Sequence, residues 1–283
     1  MARKLNEGLV FHSALVHLFL AIVLSNPPWR QKAPDCGLRP RGITENEAPD
    51  MTPTITPTIT KAPNAEAGSK ARTVTVWDFP TRIFHWTFAV AVVIAFASSE
   101  ADGAAFWIHV YSGTLLLGFI VFRAIWGVIG SRYAQFGDFV HGPATVSDYA
   151  TRLMTFRPPY SVGHNPLGGW MVMALLGVVL LAVLSGMMTS EDGYVGPLAH
   201  IGGGVFGEAH EGLGSFVMVL VGAHVLGVVV HGLISRENLV RTMITGFKHV
   251  PAGVKAISIK PVGIVRPVIA LAMAMAVVLY FMR

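Results

Sequence analysis

Eleven histidines, at positions 12, 17, 85, 109, 141, 164, 200, 210, 224, 231 and 249, accompany a single cysteine, Cys36. One thiol cannot build an internal disulfide, a Cys-based zinc site, a Cys-ligated iron-sulfur cluster or a C-x-x-C-H covalent haem anchor. Imidazole is therefore the ligand in supply. Several of the histidines fall inside long apolar runs, where an imidazole needs a partner and marks a functional site by default.

Those runs dominate the chain. Of 283 residues, 53% are hydrophobic and only 13% charged, against about 25% charged in an ordinary soluble domain. That composition excludes a typical soluble globular protein and predicts an all-α integral membrane protein. Five candidate spans are expected at residues 83–99, 107–129, 167–188, 210–234 and 264–282, the last the weakest. None has the period-2 alternation of a barrel strand, so each reads as a helix. The expected domains are an N-terminal extension over 1–70, a transmembrane domain over 71–250, and a linker plus fifth helix over 251–283.

Residues 1–70 differ from the rest. Arg3 and Lys4 precede an apolar stretch at 9–25, in the manner of a signal peptide, but no A-x-A-like cleavage site follows. Beyond Asn26 the segment is polar and Pro-rich, with the run TPTITPTIT, and predicts disorder. An over-extended start, with Met51 as the true first residue, is the competing reading. No core function is assigned there.

Lys and Arg set the orientation. They flank the first span (Arg72, Arg82), fill the loop between the second and third (Arg132, Arg152, Arg157) and follow the fourth (Arg236, Arg241, Lys248, Lys255, Lys260). These regions are expected on the cytoplasmic side of a bacterial inner membrane. The intervening loops carry Glu100 and Asp102, and Glu191, Asp192 and Glu208, with no Lys or Arg. They are expected on the periplasmic side. The net charge of +5 thus belongs to membrane flanks, and no nucleic-acid partner is expected.

The fourth span turns histidine count into geometry. His210 and His224 lie on one helical face, about 40° apart after 14 residues, and about 21 Å apart along the axis. His109, at the outer start of the second span, is level with His210. His85, near the inner start of the first, is level with His224. Two imidazole pairs facing across a bundle at two depths suit planar metal macrocycles with two axial ligands, namely two non-covalent b-type haems. His231, seven residues beyond His224 and about 20° off its face, competes for the inner place by depth. Pairing it would stretch the two sites to about 31 Å, nearly the whole hydrocarbon thickness.

Anionic propionates call for cations. Arg123, inside the second span on the His109 face, reads as a propionate or structural partner at the inner haem, with Arg82 beside His85 the weaker candidate. Gly113, Gly127, Gly214, Gly222 and Gly227 would admit a porphyrin, or equally a neighbouring helix. In Gly163-His164-Asn165-Pro166, Asn165 reads as an N-cap with Pro166 at the first helical position. That puts His164 just outside the third span, placed for a quinone head group, a propionate or a structural role. His141, His200 and His249 read as solvated loop residues.

The segments V-W-D-F-P-T-R-I-F-H-W around His85, H-x-x-x-G from His109, R-x-x-W-G-x-x-G-x-R-Y from Arg123, G-H-N-P-L-G-G-W, and H-V-L-G-V-V-V-H-G-L-I-S-R-E-N-L-V-R-T-M-I-T-G from His224 together resemble the prokaryotic cytochrome b561 family. The likeness is to the branch holding the b-type cytochrome subunit of nickel-iron hydrogenases, and it covers roughly residues 74–250. It implies a four-helix transmembrane diheme bundle passing electrons between a quinone pool and a redox partner. Carried over, the haem ligands fall on His85, His109, His210 and His224, which prefers His224 to His231. The N-terminal 70 residues and His231 depart from the family pattern.

The expected function is electron transfer across the membrane through two bis-histidine haems b. With both axial positions filled, oxygen activation at iron is disfavoured, so no catalytic residue is assigned and the protein reads as a conduit. Expected partners are membrane lipid, quinone or quinol, and a hydrogenase-like protein, dehydrogenase or c-type cytochrome. A self-standing quinone-linked oxidoreductase acting on a small oxidant is the first alternative. A non-redox metal-binding membrane protein is the second, although paired ligands suit a bare divalent ion badly.

Overall fold

The computed structural model describes residues 71–191, 193–202 and 205–283. The readings made for the N-terminal extension, Cys36 included, lie outside these residues. The first long helix, α1, runs Phe79–Ala97, beginning four residues before the expected span. Its start is fixed by Asp78, whose side chain accepts from the Thr81 N–H at 2.6 Å, with Pro80 in the first turn where no N–H is needed. A 3₁₀ turn at Gly103–Ala105 then leads into α2, Phe106–Ile129.

Between the second and third spans the chain is structured, not a bare loop. A 3₁₀ turn at Arg132–Ala134 and the short α3, Phe136–Phe139, precede α4, Pro143–Met154. Helix α4 is amphipathic, burying Val146 and Tyr149 while Arg152 and Asp148 pair at 2.9 Å in solvent. It packs on α5, Pro166–Met188, whose start is capped as the sequence predicts, Asn165 accepting from the Gly168 N–H at 2.7 Å. A two-residue strand pair, β2 Ser190–Glu191 with β3 Tyr194–Val195, follows. The 31-residue α6, Val205–Ser235, comes next.

Among the described residues four helices, counting the Gly103–Ala105 turn with α2, are long and apolar enough to cross a membrane: α1, α2, α5 and α6. They pack as α1 on α2, α2 on α5, and α5 on α6. Their shared core contains Ala91, Leu117, Ile120, Val179, Ala182, Val183 and Val217. Outward positions such as Val90, Val93, Leu226 and Val229 stay exposed, as a lipid-facing surface requires.

Past α6 come α7, Leu239–Thr245, and β4, Phe247–Val250. Strand β4 pairs antiparallel with β1, Arg72–Thr75, with Arg72 opposite Val250 and Thr75 opposite Phe247. The pair ties the entrance of α1 to the exit of α6. Gly246 closes α7 at φ 83°, a left-handed position where a Cβ would also run into the Trp77 carbonyl. Its own carbonyl accepts from the N–H groups of Val76 and Trp77.

The last helix, α8, Val265–Phe281, has 17 residues, a rise of about 25 Å against a core of about 30 Å. It packs along α2 through Ala270, Ala274 and Val278, and the absence of a side chain at Gly118 makes room for Val278. Small residues at a contact let helix backbones approach closely.

Candidate functional site

At the end of the bundle where the loops are acidic, His109 opens α2 and His210 lies in the second turn of α6. The His109 Nδ1 is 2.8 Å from the Ala95 carbonyl on α1, and the His210 Nδ1 is 2.7 Å from the Ala182 carbonyl on α5. A carbonyl only accepts, so each Nδ1 carries the proton and each Nε2 presents a lone pair. The two Nε2 atoms stand 3.4 Å apart with their rings at 82°. Two facing lone pairs call for a proton or a metal ion between them. Phe106, stacked against His109 at 6.2 Å, and Tyr194, edge-on to Phe106, cover the pair.

At the basic end, His85 on α1 and His224 on α6 bring their ring centroids to 6.3 Å, tilted by 53°. The His85 Nδ1 is buried without a hydrogen-bond partner among the described residues. His231 is elsewhere: its Nδ1 meets the Tyr149 hydroxyl at 3.2 Å and its Nε2 the Ser235 hydroxyl at 3.3 Å. Both its nitrogens are thus occupied by α4 and by its own helix.

Three further groups the sequence singled out gather near the inner pair. Arg123 is 3% exposed, its guanidinium 4.7 Å from the Phe136 ring centre and 5.5 Å from that of Phe139. One of its terminal nitrogens, Nη1, is buried without a partner among the described residues. Arg82 donates through Nη1 to the Ile244 carbonyl at 2.6 Å, while its Nε is buried without a partner among the described residues. His164 is wedged between Trp77, at 4.6 Å, and Phe139, at 4.4 Å, its buried Nδ1 without a partner among the described residues. Burial, reinforced by Arg123, His85 and His224, pushes the His164 imidazole down to about 3.

The remaining histidines are mostly peripheral, though not all solvated. His141 holds the Phe139 carbonyl at 2.8 Å, His249 meets the Thr73 hydroxyl at 2.9 Å across the β1–β4 pair, and His200 is exposed. Sequence reasoning missed Asp78. Besides capping α1, it accepts from the Trp126 indole N–H at 3.1 Å and so locks α1 to α2 one turn beyond Arg123. The Asp-Phe-Pro string was a readable cap signal. Nothing in the sequence announced its second partner. Tyr149, on the unforeseen α4, was missed as well. Among the described residues no three His, Cys, Asp or Glu side chains gather around one point, so the imidazoles occur as pairs.

Four apolar helices holding imidazole pairs at two depths define an integral membrane protein organised around paired, half-buried histidines. The chain belongs to the prokaryotic cytochrome b561 family, which matches it over residues 76–246. It is therefore a b-type membrane cytochrome of electron transport. Among curated relatives, the Azotobacter vinelandii protein named "Probable Ni/Fe-hydrogenase B-type cytochrome subunit" is 27% identical over 217 residues, 63% of this chain and 90% of the relative. A Cupriavidus necator protein of the same name is 24% identical over 221 residues, 64% of this chain and 89% of the relative. No solved structure matches the chain.

The residues present fit the haem the family implies. Metal-imidazole bonds of about 2 Å on each side need nitrogens about 4 Å apart and ring centroids roughly 6 Å apart, close to the separations found. Unpartnered N–H groups of Arg82 and Arg123 near the inner pair suit anionic carboxylates. A Cβ added at Gly113, Gly214, Gly222 or Gly227 would meet nothing within 4 Å. Gly127 differs: it makes room for the Phe136 ring and belongs to protein packing.

Proposed function

We propose that this protein carries electrons across a bacterial inner membrane through two haems b, one held by His109 and His210 and the other by His85 and His224. The observation that carries this reading is the acidic-end pair, whose two Nδ1 groups are tied to backbone carbonyls while both Nε2 atoms face each other. Haem b supplies one-electron storage when bound. The chain does the rest. Carbonyls of Ala95 and Ala182 hold the imidazole rings in register and raise their basicity. Arg123 and Arg82 neutralise propionates at the inner site, while Phe106 and Tyr194 shield the outer one.

The positive flanks support a cytoplasmic His85/His224 end and a periplasmic His109/His210 end. A quinone reacts at the cytoplasmic end near His164. A periplasmic or membrane-attached redox protein meets the other end, and the relatives' printed names favour a nickel-iron hydrogenase for it. Moving one electron about 21 Å through a 30 Å core at 100 mV changes its energy by roughly 1.6 kcal/mol, which differing haem potentials can offset. The test is a dithionite-reduced minus air-oxidised spectrum of purified protein with pyridine haemochrome quantitation. Two low-spin haems b per chain are expected. A folded preparation without haem would sink the reading.

A further inference from the structure

Electron transfer to a quinone cannot proceed alone. Each ring carbonyl that becomes a hydroxyl takes one electron and one proton, so conversion of quinone to quinol consumes two of each. The electrons come from the reduced redox partner through the cytochrome. The protons must reach the same end of the bundle from water.

A partly open cavity of about 300 Å³ lies at this end between α4 and residues 159–164 before α5. His164 and Tyr149 both line it. Tyr149 is 2% exposed, yet its hydroxyl does not end in the cavity wall: it meets the His231 Nδ1 at 3.2 Å, and the opposite ring nitrogen meets the Ser235 hydroxyl at 3.3 Å. This is an unbroken hydrogen-bonded chain from α4 to the last residue of α6. Two charges flank it, and they neutralise each other. Glu237 and Lys248 pair at 2.9 Å, and Lys248 also donates to the carbonyl of Ser161, another cavity residue. Burial, with Glu237 adding to it, pushes the Tyr149 hydroxyl up to about 12, so the phenol keeps its proton between transfers.

We propose that Tyr149, His231 and Ser235 form a proton relay between cytoplasmic water and a quinone in the cavity beside His164. When quinone is reduced, Tyr149 gives its hydroxyl proton to the ring oxygen and takes one from the His231 Nδ1. His231 is reloaded at Nε2 through Ser235, which takes a proton from water; a flip of the imidazole ring restores the Nδ1–H form, and two such passages complete one quinol. Quinol oxidation runs the same steps backwards. This explains why a second histidine sits seven residues past His224 without facing His85. The relay rests on the quinone reading of this end, and the two can fail separately.

The test uses oxidised full-length protein in nanodiscs, mixed with decyl-ubiquinol in H2O and D2O, with haem absorbance and a pH-indicator dye followed together. Tyr149→Phe keeps the ring packing and removes the hydroxyl; His231→Gln keeps a hydrogen bond and cannot shuttle. Both should slow quinol-driven haem reduction and dye-detected proton release about a hundredfold, with a larger solvent isotope effect, while haem content and dithionite reduction stay at wild-type values. The double variant should be no slower than either single one, as expected for residues acting as a unit. Independently of turnover, Ser161→Cys in a Cys36→Ser background should react with an impermeant charged thiol reagent from the basic face only. Wild-type rates and isotope effects in both variants would overturn the relay and leave the quinone reading standing. Reduction of the wild type by dithionite but not by the quinol would overturn both. An unreactive Ser161→Cys would mean that the cavity does not open at the basic face, which overturns the quinone seat and the relay that ends there.

Discussion

The two histidine pairs are built by different means. At the acidic end, each imidazole is steered by one backbone carbonyl of a neighbouring helix, Ala95 for His109 and Ala182 for His210. Helix packing alone sets that site. At the basic end, the rings of His85 and His224 are set among Arg82, Arg123 and His164, groups delivered by a helix cap, a buried mid-helix position and an inter-helix segment. The outer site therefore depends on where helices run, and the inner one on how everything outside the helices is folded against them.

Removing ligands should break the comparison most sharply. His109→Ala or His210→Ala is expected to lose the outer haem and keep the inner, and His85→Ala or His224→Ala to do the reverse, halving the haemochrome count in each case. Retention of both haems in His224→Ala, with loss of one in His231→Ala, would move the inner ligand to His231. Redox titration of the remaining haem identifies which site survives.

Next in size is the cap that only the inner site needs. Asp78→Ala removes the N-cap of α1, about 0.5–2 kcal/mol, and takes the charged acceptor from the buried Trp126 N–H, leaving it the Thr81 hydroxyl at 3.2 Å, about 0.5–1 kcal/mol more. A combined loss of about 1–3 kcal/mol should appear as a lowered denaturation midpoint in detergent, with the inner haem released first. Asp78→Asn keeps the capping oxygen and should lose less. Equal release of both haems would show that the inner site has no such dependence.

How much of this the sequence disclosed follows from the same division. The four spans, the depth matching of His109 with His210 and of His85 with His224, and the Asn165 cap follow from apolar length, helical period and one cap rule, all of which act within a few turns of chain. What escaped is long-range. The pairing of β1 with β4 joins residues 72–75 to 247–250 and rests on a four-residue alternation too short to stand out. The Asp78–Trp126 bond crosses two helices. Helix α4, lying among Arg-bearing connections, read as loop because its 12 residues are too short and too polar for a span, and the face it buries, Val146 and Tyr149, is set by packing on α5. His231 read as a rival ligand because depth and face were legible and its Tyr149 partner was not.

Arg123 tests the electrostatic side of the contrast. It is 3% exposed and lies beside His164, at the end of the bundle that holds His85 and His224. A cation in that place favours the reduced, more negative state of the nearer haem. A Coulomb term of about 1–2 kcal/mol corresponds to about 40–90 mV. Arg123→Met should lower the inner midpoint potential by that amount and leave the outer one in place. Equal shifts at both would mean a global loosening.

The smallest effect at neutral pH belongs to His164, and its sign is fixed. In the folded protein burial holds this imidazole neutral down to about 3, whereas in the unfolded chain it takes a proton near its ordinary value of 6.5. Between those values the unfolded state binds one proton more, so stability is untouched above the higher value and falls as pH drops below it, by about 1.4 kcal/mol per pH unit. His164→Phe keeps a ring between Trp77 and Phe139 and removes the titration. Relative to pH 7, the wild type should lose about 1 kcal/mol more than the variant by pH 5.5, read from chemical denaturation in detergent. Parallel curves would mean that water reaches His164 freely through the cavity it lines. The inner site would then owe its distinctness to cations alone.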